Sequence, residues 1–271
     1  MRLNINNYYK IQKFLFYTNY YYYNKYNKSS LNLKKYVGGG SLKNINFTYK
    51  NELYKFHNTE ENVYALFSED ENDCIILIID SGVATINAIN ADNSLKCTNT
   101  IITNQGSFLL DLVLALISSI KDKFKLSKVE LSDNSYIYCD NSKIKLANLS
   151  FLQYNNTWYG RKGFVPSNPN KLKNYYHNIN ILSKLKVKKL DIIKIFNNIN
   201  DIPKGNKYDK IKDKIMKYYE KYNNELLITW FHFISKKYLK KNCNFFEIFI
   251  DNIFNELKLY PMHMETFAKY L

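Results

Sequence analysis

Residues 95–131 read LKCTNTIITNQGSFLLDLVLALISSIKDKFKLSKVEL, and the hydrophobic period changes within this stretch. Residues 95–102 alternate between apolar and polar side chains, which is typical of a half-buried strand. In residues 108–120 apolar side chains recur at every third or fourth position, which predicts a helix with a broad buried face. Residues 129–131 begin a second strand. A strand, a helix and a strand in this order favour parallel pairing of the two strands through a crossover helix.

The residues before this stretch carry the signals of short strands. Residues 63–67, 74–79 and 83–89 are runs of β-branched and aromatic side chains, separated by acidic residues and asparagine. Residues 80–82, Asp-Ser-Gly, predict a tight turn between the last two runs. Such a series is typical of an antiparallel meander. The sequence therefore predicts an α+β fold with a mixed, mostly antiparallel sheet and one crossover helix.

The chain becomes helical in character after residue 170. Three groups of apolar and aromatic side chains recur there at helical spacing. They are Ile211, Ile215, Tyr218, Tyr219 and Tyr222; Leu226, Leu227, Trp230, Phe233 and Ile234; and Phe246, Phe249, Ile250, Ile253, Phe254 and Leu257. Aromatic stripes of this kind belong to a packed core more often than to a ligand site. They predict an α-helical C-terminal domain at residues 171–271.

The first 45 residues differ in composition from the rest of the chain. They interleave tyrosine with asparagine and lysine, and end near three consecutive glycines at residues 38–40. Three glycines remove backbone restraint, which predicts a hinge or linker. Two interpretations of the tyrosine and lysine residues stay open: stacking on single-stranded bases, or an arm that packs on the domain or a partner. The predicted organisation is an arm at 1–45, an α/β domain at 46–170 and the helical domain.

The chain is strongly basic, with a formal net charge of +15, but only Arg2 and Arg161 of its 39 basic residues are arginine. The planar guanidinium of arginine can form two parallel hydrogen bonds to a phosphate, which lysine cannot. The scarcity of arginine therefore disfavours a surface dedicated to nucleic-acid binding. Solvated lysine faces that contact an acidic protein or a nucleic acid are the prediction for partners. The longest apolar run, in residues 108–120, is too short to cross a membrane. The sequence predicts an intracellular protein without a transmembrane segment.

The four cysteines show no pattern that identifies a site. Cys74, Cys97, Cys139 and Cys243 form no CxxC pair and have no neighbouring histidine. Neither a zinc site nor a disulfide framework is indicated, so no metal is predicted. The expectation is four buried free thiols in a reducing compartment.

Residues 158–164 read WYGRKGF and resemble the closing motif of the GNAT superfamily of N-acetyltransferases. In that motif an aromatic residue and a tyrosine are followed, four residues after the tyrosine, by Gly-Phe. Tyr159 and Gly163-Phe164 hold this spacing. The resemblance implies a GNAT-like core at residues 46–170 that uses acetyl-coenzyme A (acetyl-CoA). It also implies that the Tyr159 hydroxyl protonates the leaving thiolate as a general acid.

The same resemblance places the coenzyme pyrophosphate where the end of a strand meets the N-terminus of a helix. The matching residues are Gln105, Gly106, Ser107 and Phe108. Gly106 permits close approach of a phosphate, and Ser107 can cap the helix or donate to a phosphate oxygen. Glu130 is the candidate general base. The implied function is an acyl-CoA-dependent N-acyltransferase, active or degenerate.

Residues 36–40, 130–135 and 158–166 also resemble proteins of giant nucleocytoplasmic DNA viruses, the mimivirus-like group. This resemblance implies a location in the host cytoplasm or viral factory, or in the virion. It leaves a second function open. In that alternative the protein is a non-catalytic structural or replication-compartment component whose lysine surface contacts acidic partners.

Overall fold

The computed structural model of the chain describes residues 15–16, 44–90, 96–98, 105–139, 142–200 and 205–271. These residues form two compact units. The sheet unit lies within residues 13–134 and also includes residues 266–271, while the helical unit spans residues 135–265. The domain division predicted near residues 45 and 170 stays a prediction. Apart from residues 15–16, 44 and 45, the predicted arm lies outside the described residues.

The sheet unit has an α+β composition. It contains β1 (Leu15–Phe16), β2 (Ile45–Tyr49), β3 (Glu52–Glu60), β4 (Val63–Phe67), β5 (Asp73–Asp80), β6 (Val83–Asn90), α1 (Gln105–Phe124), β7 (Lys128–Ser132) and β11 (Thr266–Tyr270). The predicted strands at residues 63–67, 74–79, 83–89 and 129–131 are confirmed to within one residue at each end. The predicted helix at 108–120 is confirmed and is longer than expected, by three residues at its start and four at its end.

The strands form a large mixed sheet in the order β11-β7-β6-β5-β4-β3-β2, and β1 pairs with the end of β6. Among these pairs only β6 with β7 is parallel, and α1 lies between them in the chain. The parallel partner of β7 is therefore β6 and not residues 95–102. Residues 96–98 are not in a strand, and the rest of that predicted strand lies outside the described residues.

The turn between β5 and β6 is a two-residue hairpin loop. Ser81 and Gly82 both have positive φ, at 48° and 78°, which is the backbone that a type I′ turn needs. The Gly82 carbonyl accepts a hydrogen bond from the Ser127 amide at 2.8 Å, just before β7. The predicted tight turn at residues 80–82 is confirmed.

The core of the sheet unit is mainly aliphatic. One face of α1 packs on the sheet, chiefly on β5 and β6, because its apolar side chains follow the helical period. The buried side chains of this layer are Ile75, Leu77, Ile79, Ala84, Ile86, Ile89, Leu109, Leu110, Leu112, Val113, Leu116, Ile117, Val129 and Leu131.

The helical unit begins with a hairpin and continues as short helices. Its elements are β8 (Tyr136–Cys139), β9 (Ser142–Lys145), α2 (Leu146–Tyr154), β10 (Val165–Pro166), α3 (Pro169–Leu182), α4 (Ile192–Asn200), α5 (Asp209–Lys221), α6 (Leu227–Tyr238) and α7 (Cys243–Glu256). The three predicted helical stripes correspond to α5, α6 and α7. None of the described helices is long and apolar enough to cross a membrane.

The core of the helical unit combines aliphatic side chains with a large cluster of aromatic rings. Its buried rings include Phe196, Trp230, Phe231, Phe245, Phe246, Phe249 and Phe254. Phe249 on α7 is central to this cluster, with ring centroids 5.1 Å from Phe245, 6.0 Å from Phe246 and 6.4 Å from Phe231. Centroid distances in this range are those at which offset and edge-to-face rings attract one another.

The expectation of four free thiols is wrong, because all four cysteines are paired. Cys74 on β5 is bonded to Cys97, and Cys139 on β8 is bonded to Cys243 at the start of α7. The second bond joins cysteines 104 residues apart and so closes a loop around helices α2–α6. Neither pairing is readable from spacing alone, since each depends on which elements meet in space. Near the second bond, Ser142 Oγ on β9 donates to Asn244 Oδ1 on α7 at 2.5 Å.

Candidate functional site

The residues predicted to hold the coenzyme lie at the start of α1 in the sheet unit, where they make contacts within the chain. Gln105 is buried, and its Nε2 donates to the Asn90 carbonyl at 3.4 Å. The Phe108 ring packs on Tyr49 and Tyr54, at centroid distances of 5.6 and 6.2 Å. Gly106 is buried and Ser107 half-buried. Residues 101–104 lie outside the described residues, so the coenzyme site stays a prediction.

Glu130, the candidate base, lies on β7 between β6 and β11. Its Oε1 accepts a hydrogen bond from Lys128 Nζ at 2.7 Å, and this bond raises the pKa of the Lys128 ammonium. The Glu130 side chain is 24% exposed. The ion pair gives this carboxylate a structural explanation, and its role as a base stays a prediction.

Tyr159, the candidate acid, lies in the helical unit and is only 2% exposed. Its ring makes edge contacts with Trp158 and Phe164, at centroid distances of 4.8 and 6.2 Å. A general acid must reach the group that it protonates. The predicted site residues thus divide between the two units: Tyr159 in the helical unit, and Glu130 and residues 105–108 in the sheet unit.

Tyr159, Gly163 and Phe164 of the WYGRKGF motif each have a structural role. Residues 160–162 form one turn of 3₁₀-helix, and Gly163 ends it with φ 87°, a left-handed conformation that favours glycine. The Tyr159 carbonyl accepts hydrogen bonds from the amides of Lys162 and Phe164, at 2.9 and 3.2 Å. Phe164 is fully buried. The spacing of Tyr159 to Gly163-Phe164 is therefore what this capped turn requires.

Gly160 is needed for a different reason. A Cβ at this position would overlap Asn156 Oδ1 and the Tyr175 hydroxyl, which are hydrogen-bonded to each other. The Tyr175 side chain is buried, and burial raises the pKa of its hydroxyl to about 12. The hydroxyl therefore stays protonated at neutral pH and donates to Asn156. Gly160 lets the turn pack directly beneath this bond.

A second feature of the helical unit is a surface group of cations and aromatic rings on α5 and α6. Lys237 Nζ donates a hydrogen bond to the Tyr218 hydroxyl at 2.5 Å. This bond is the main cause that lowers the pKa of Tyr218. The same ammonium lies 4.9, 5.7 and 5.5 Å from the ring centroids of Tyr218, Phe233 and Tyr238. These distances are those of cation–π contacts.

The group has further members beside Phe233 and on the adjoining face of α6. Tyr222 packs on Phe233 at 5.6 Å, and Lys221 Nζ lies 5.5 Å from the Tyr222 centroid. His232, the neighbour of Phe233 in the chain, contacts the Tyr154 ring at 5.2 Å. The Arg161 guanidinium lies 4.1 Å from the centre of the Tyr154 ring. The whole group is called the cationic–aromatic stripe: Tyr154, Arg161, Tyr218, Lys221, Tyr222, His232, Phe233, Lys237 and Tyr238.

The cations of the stripe are not neutralised by nearby carboxylates. Within the described part of the chain, Arg161, Lys221 and Lys237 form no ion pair, and all three are exposed. Exposed Lys214 and Lys236 add charge on the same two helices, whereas Lys217 lies on the face of α5 that carries Asp213. The acidic residues of α5 near them, Asp213 and Glu220, lie on the side of the helix away from Tyr218 by the helical period.

The sequence prediction grouped Tyr218, Tyr219 and Tyr222 with the core residues Ile211 and Ile215. The isoleucines are buried, whereas all three tyrosines are only half-buried. Tyr219 donates to the Leu190 carbonyl at 2.9 Å, while the other two belong to the stripe. Lysine and tyrosine are interspersed in residues 214–222. This indicated a partly exposed face, but a pattern of apolar residues alone does not take the lysines into account.

Among the described residues, no three histidine, cysteine, aspartate or glutamate side chains are grouped as metal ligands would be. No family model matches the chain, and neither a curated protein nor a solved structure is found to be similar to it.

Proposed function

We propose that the protein is a non-catalytic binding protein that holds an extended acidic partner on the cationic–aromatic stripe. This corresponds to the non-catalytic structural or replication-compartment component that the sequence left open as an alternative. The observation that carries the proposal is the concentration of exposed cations without ion-pair partners beside partly exposed rings. A partner with regularly spaced negative charges complements such a surface.

The stripe is also partly preorganised. Lys237 is held against three rings and one hydroxyl, so its ammonium loses less freedom on binding than an unrestrained lysine would. Arg161 is fixed on Tyr154 in the same way. The binding of a polyanion by such groups is electrostatic and therefore weakens as salt is added.

Charge reversal with a matched control tests the proposal. The test variant is Lys221→Glu with Lys237→Glu, and the control is Lys55→Glu with Lys123→Glu, two exposed lysines of the sheet unit. Both variants change the net charge equally. At low salt, the affinity for labelled polyanions, measured by fluorescence anisotropy, is expected to fall at least about tenfold in the test variant and much less in the control. Equal losses would mean diffuse attraction to a basic protein, and would refute a localised surface.

A second candidate function is the acyl-CoA-dependent N-acyltransferase, active or degenerate. It is favoured by the parallel pair of β6 and β7, which is joined through α1, because α1 begins at Gln105, Gly106 and Ser107. The burial of Tyr159 and the packing of Phe108 argue against an open site. Titration calorimetry with acetyl-CoA separates the two candidates. A heat of binding that the Gly106→Glu substitution abolishes would support the enzyme. The absence of any heat of binding at millimolar acetyl-CoA would support the binding protein.

A further inference from the structure

We infer that the acidic partner of the stripe is a single-stranded nucleic acid, RNA or DNA, whose bases stack on the rings while its phosphates contact the lysines and Arg161. This inference rests on the proposed binding function and assigns the chemistry of the ligand. Cations alone would suit any polyanion. The aromatic part of the stripe is what distinguishes one polyanion from another.

The first argument is the alternation of the two kinds of group. Each ring of the stripe lies within 4.1 to 5.7 Å of a cation or within 4.9 to 6.0 Å of another ring. A single-stranded polynucleotide alternates in the same way, with one flat base for each phosphate. Proteins that bind single strands combine a basic track with aromatic platforms, since every base has a π-face that such a platform accepts.

The second argument is the exposure of one end of the stripe. Tyr154 is 42% exposed, and the guanidinium carbon of Arg161, the sole arginine among the described residues, lies 4.1 Å from its ring centre. An exposed guanidinium plane and an exposed phenol ring are both surfaces on which unpaired bases stack. His232 on α6 makes an edge contact with the Tyr154 ring at 5.2 Å, and Phe233 follows it in the chain.

An acidic protein is the alternative ligand, but its binding would not explain why aromatic rings lie among the cations. Carboxylates on a peptide chain pair with lysines, and they gain nothing specific from an aromatic platform beyond apolar contact. A nucleic-acid duplex keeps its bases stacked inside, so it too contacts the cations only. Removal of the rings without loss of charge therefore separates the single strand from both alternatives.

The experiment replaces rings by apolar side chains of similar bulk. The test variant is Tyr154→Leu with Tyr222→Leu, and the control is Tyr176→Leu with Tyr270→Leu, two tyrosines outside the stripe that are 53% and 74% exposed. The probes are oligothymidylate and oligouridylate of about 15 nucleotides, a duplex of the same length and polyglutamate. Affinities are measured by fluorescence anisotropy over a series of salt concentrations.

Loss of the two rings is expected to weaken binding of both oligonucleotides at least about tenfold, equivalent to ~1.4 kcal/mol. The salt dependence should stay unchanged, because no cation is removed. Polyglutamate and duplex binding should be unaffected, as should all binding by the control. A difference between the two oligonucleotides in the unmodified protein identifies RNA or DNA as the preferred strand.

Two results would overturn the inference. Unchanged oligonucleotide affinity in the ring variant, or an equal loss on polyglutamate, would assign the stripe to an acidic protein. Both would leave the proposed binding function standing, since that function depends on Lys221 and Lys237. If instead the charge-reversal variant behaves like its own control, the proposed function itself fails. Tryptophan fluorescence, from Trp158 and buried Trp230, checks that the helical unit of each variant is folded, and far-ultraviolet circular dichroism checks the controls that change the sheet unit.

Discussion

The two units of the molecule have cores of different chemistry. The sheet unit buries chiefly isoleucine, leucine and valine between α1 and the strands, whereas the helical unit adds a cluster of buried phenylalanine and tryptophan rings to its aliphatic side chains, between helices of 9 to 14 residues. A long helix on a sheet offers many core positions, and β-branched residues suit its strands. Short helices offer few positions each. Large rings compensate, because each buries more apolar area than an aliphatic side chain.

The largest expected difference between the units concerns their disulfides. Replacing Cys139 and Cys243 by alanine should lower the free energy of unfolding of the helical unit by ~4.7 kcal/mol, because the bond closes a loop of about 104 residues. The corresponding change at Cys74 and Cys97, with a separation of 23, should cost the sheet unit ~3.4 kcal/mol. Urea unfolding of each variant tests this order.

The two tryptophans make this measurement specific to one unit. Trp158 and Trp230 both lie in the helical unit, so tryptophan fluorescence follows that unit, while amide hydrogen exchange follows the strands of the other. Each urea midpoint is compared with that of the same unit in the unmodified protein. Equal shifts in the two disulfide variants would contradict the dependence on loop length. A count of free thiols in the denatured, unreduced protein serves as the control, and it should be zero.

The next effect tests the aromatic core directly. Phe249→Ala should destabilise the helical unit by ~3–5 kcal/mol, since the ring is fully buried and contacts several others. The matched change in the sheet unit is Leu112→Ala on α1, at ~2–5 kcal/mol. The sharper comparison is substitution by an aliphatic residue of the other core. Phe249→Leu should cost more than Leu112→Met, which conserves volume, and the reverse order in urea unfolding would show that ring contacts contribute little.

Replacing a glycine by alanine should destabilise each unit for a different physical reason. Gly160→Ala should cost ~1–3 kcal/mol by overpacking against Asn156 and Tyr175. Gly82→Ala in the sheet unit should cost ~1–2 kcal/mol because its φ of 78° is unfavourable for alanine. A second substitution, Tyr175→Phe, removes one obstructing oxygen and should partly rescue Gly160→Ala in thermal unfolding. Without any rescue, the steric explanation would be wrong.

The smallest effect is a pH dependence confined to the helical unit. Burial, aided by the charge of Lys145, lowers the pKa of His263 to about 4, and neither ring nitrogen has a described hydrogen-bond partner. The unfolded chain binds this proton near pH 6.5, so the contribution of neutral His263 is complete above that pH and is lost as pH falls toward 4. The free energy of unfolding should fall by no more than ~1.4 kcal/mol for each pH unit in this range. The actual slope should be smaller than this limit, because the side chain is only partly buried.

Unfolding followed by fluorescence between pH 7 and pH 4.5 measures this slope. The variant His263→Phe keeps the edge contact with Tyr136, whose centroid is 4.3 Å away, and should flatten the pH dependence. Exposed His177→Gln is the matched control and should leave the slope unchanged. A variant as acid-sensitive as the original protein would assign the effect to other groups.

The hydrophobic periodicity of the sequence predicted most of the strands and the helix of the sheet unit. The strands β4–β7, the turn at residues 80–82 and α1 all follow from local patterns in the sequence, because each has one buried face. The pairing partner of β7 did not follow, since register and neighbourhood are set by contacts distant in sequence. The same reason hid both disulfides.

The candidate sites show a related limit of sequence reasoning. Tyr159 and Gly163-Phe164 matched a catalytic spacing, yet the same spacing satisfies the hydrogen bonds of a capped turn. Conversely, Tyr218 and Tyr222 were assigned to a core because their period matched that of Ile211 and Ile215. Helical spacing places them near that face, but only the packing of α5 on α6 decides how far each ring is buried.

The position of β11 in the chain affects how the nascent protein is made. β11 pairs along the whole of β7, although Ser132 and Thr266 are 134 residues apart. At translation rates of about 5–20 residues per second, β7 leaves the ribosome roughly 7 to 27 seconds before its partner strand. Throughout that interval one edge of β7 lacks its final partner and is open to pairing with other chains. Slow synthesis therefore prolongs the period of greatest aggregation risk, while it gives the intervening helices time to fold.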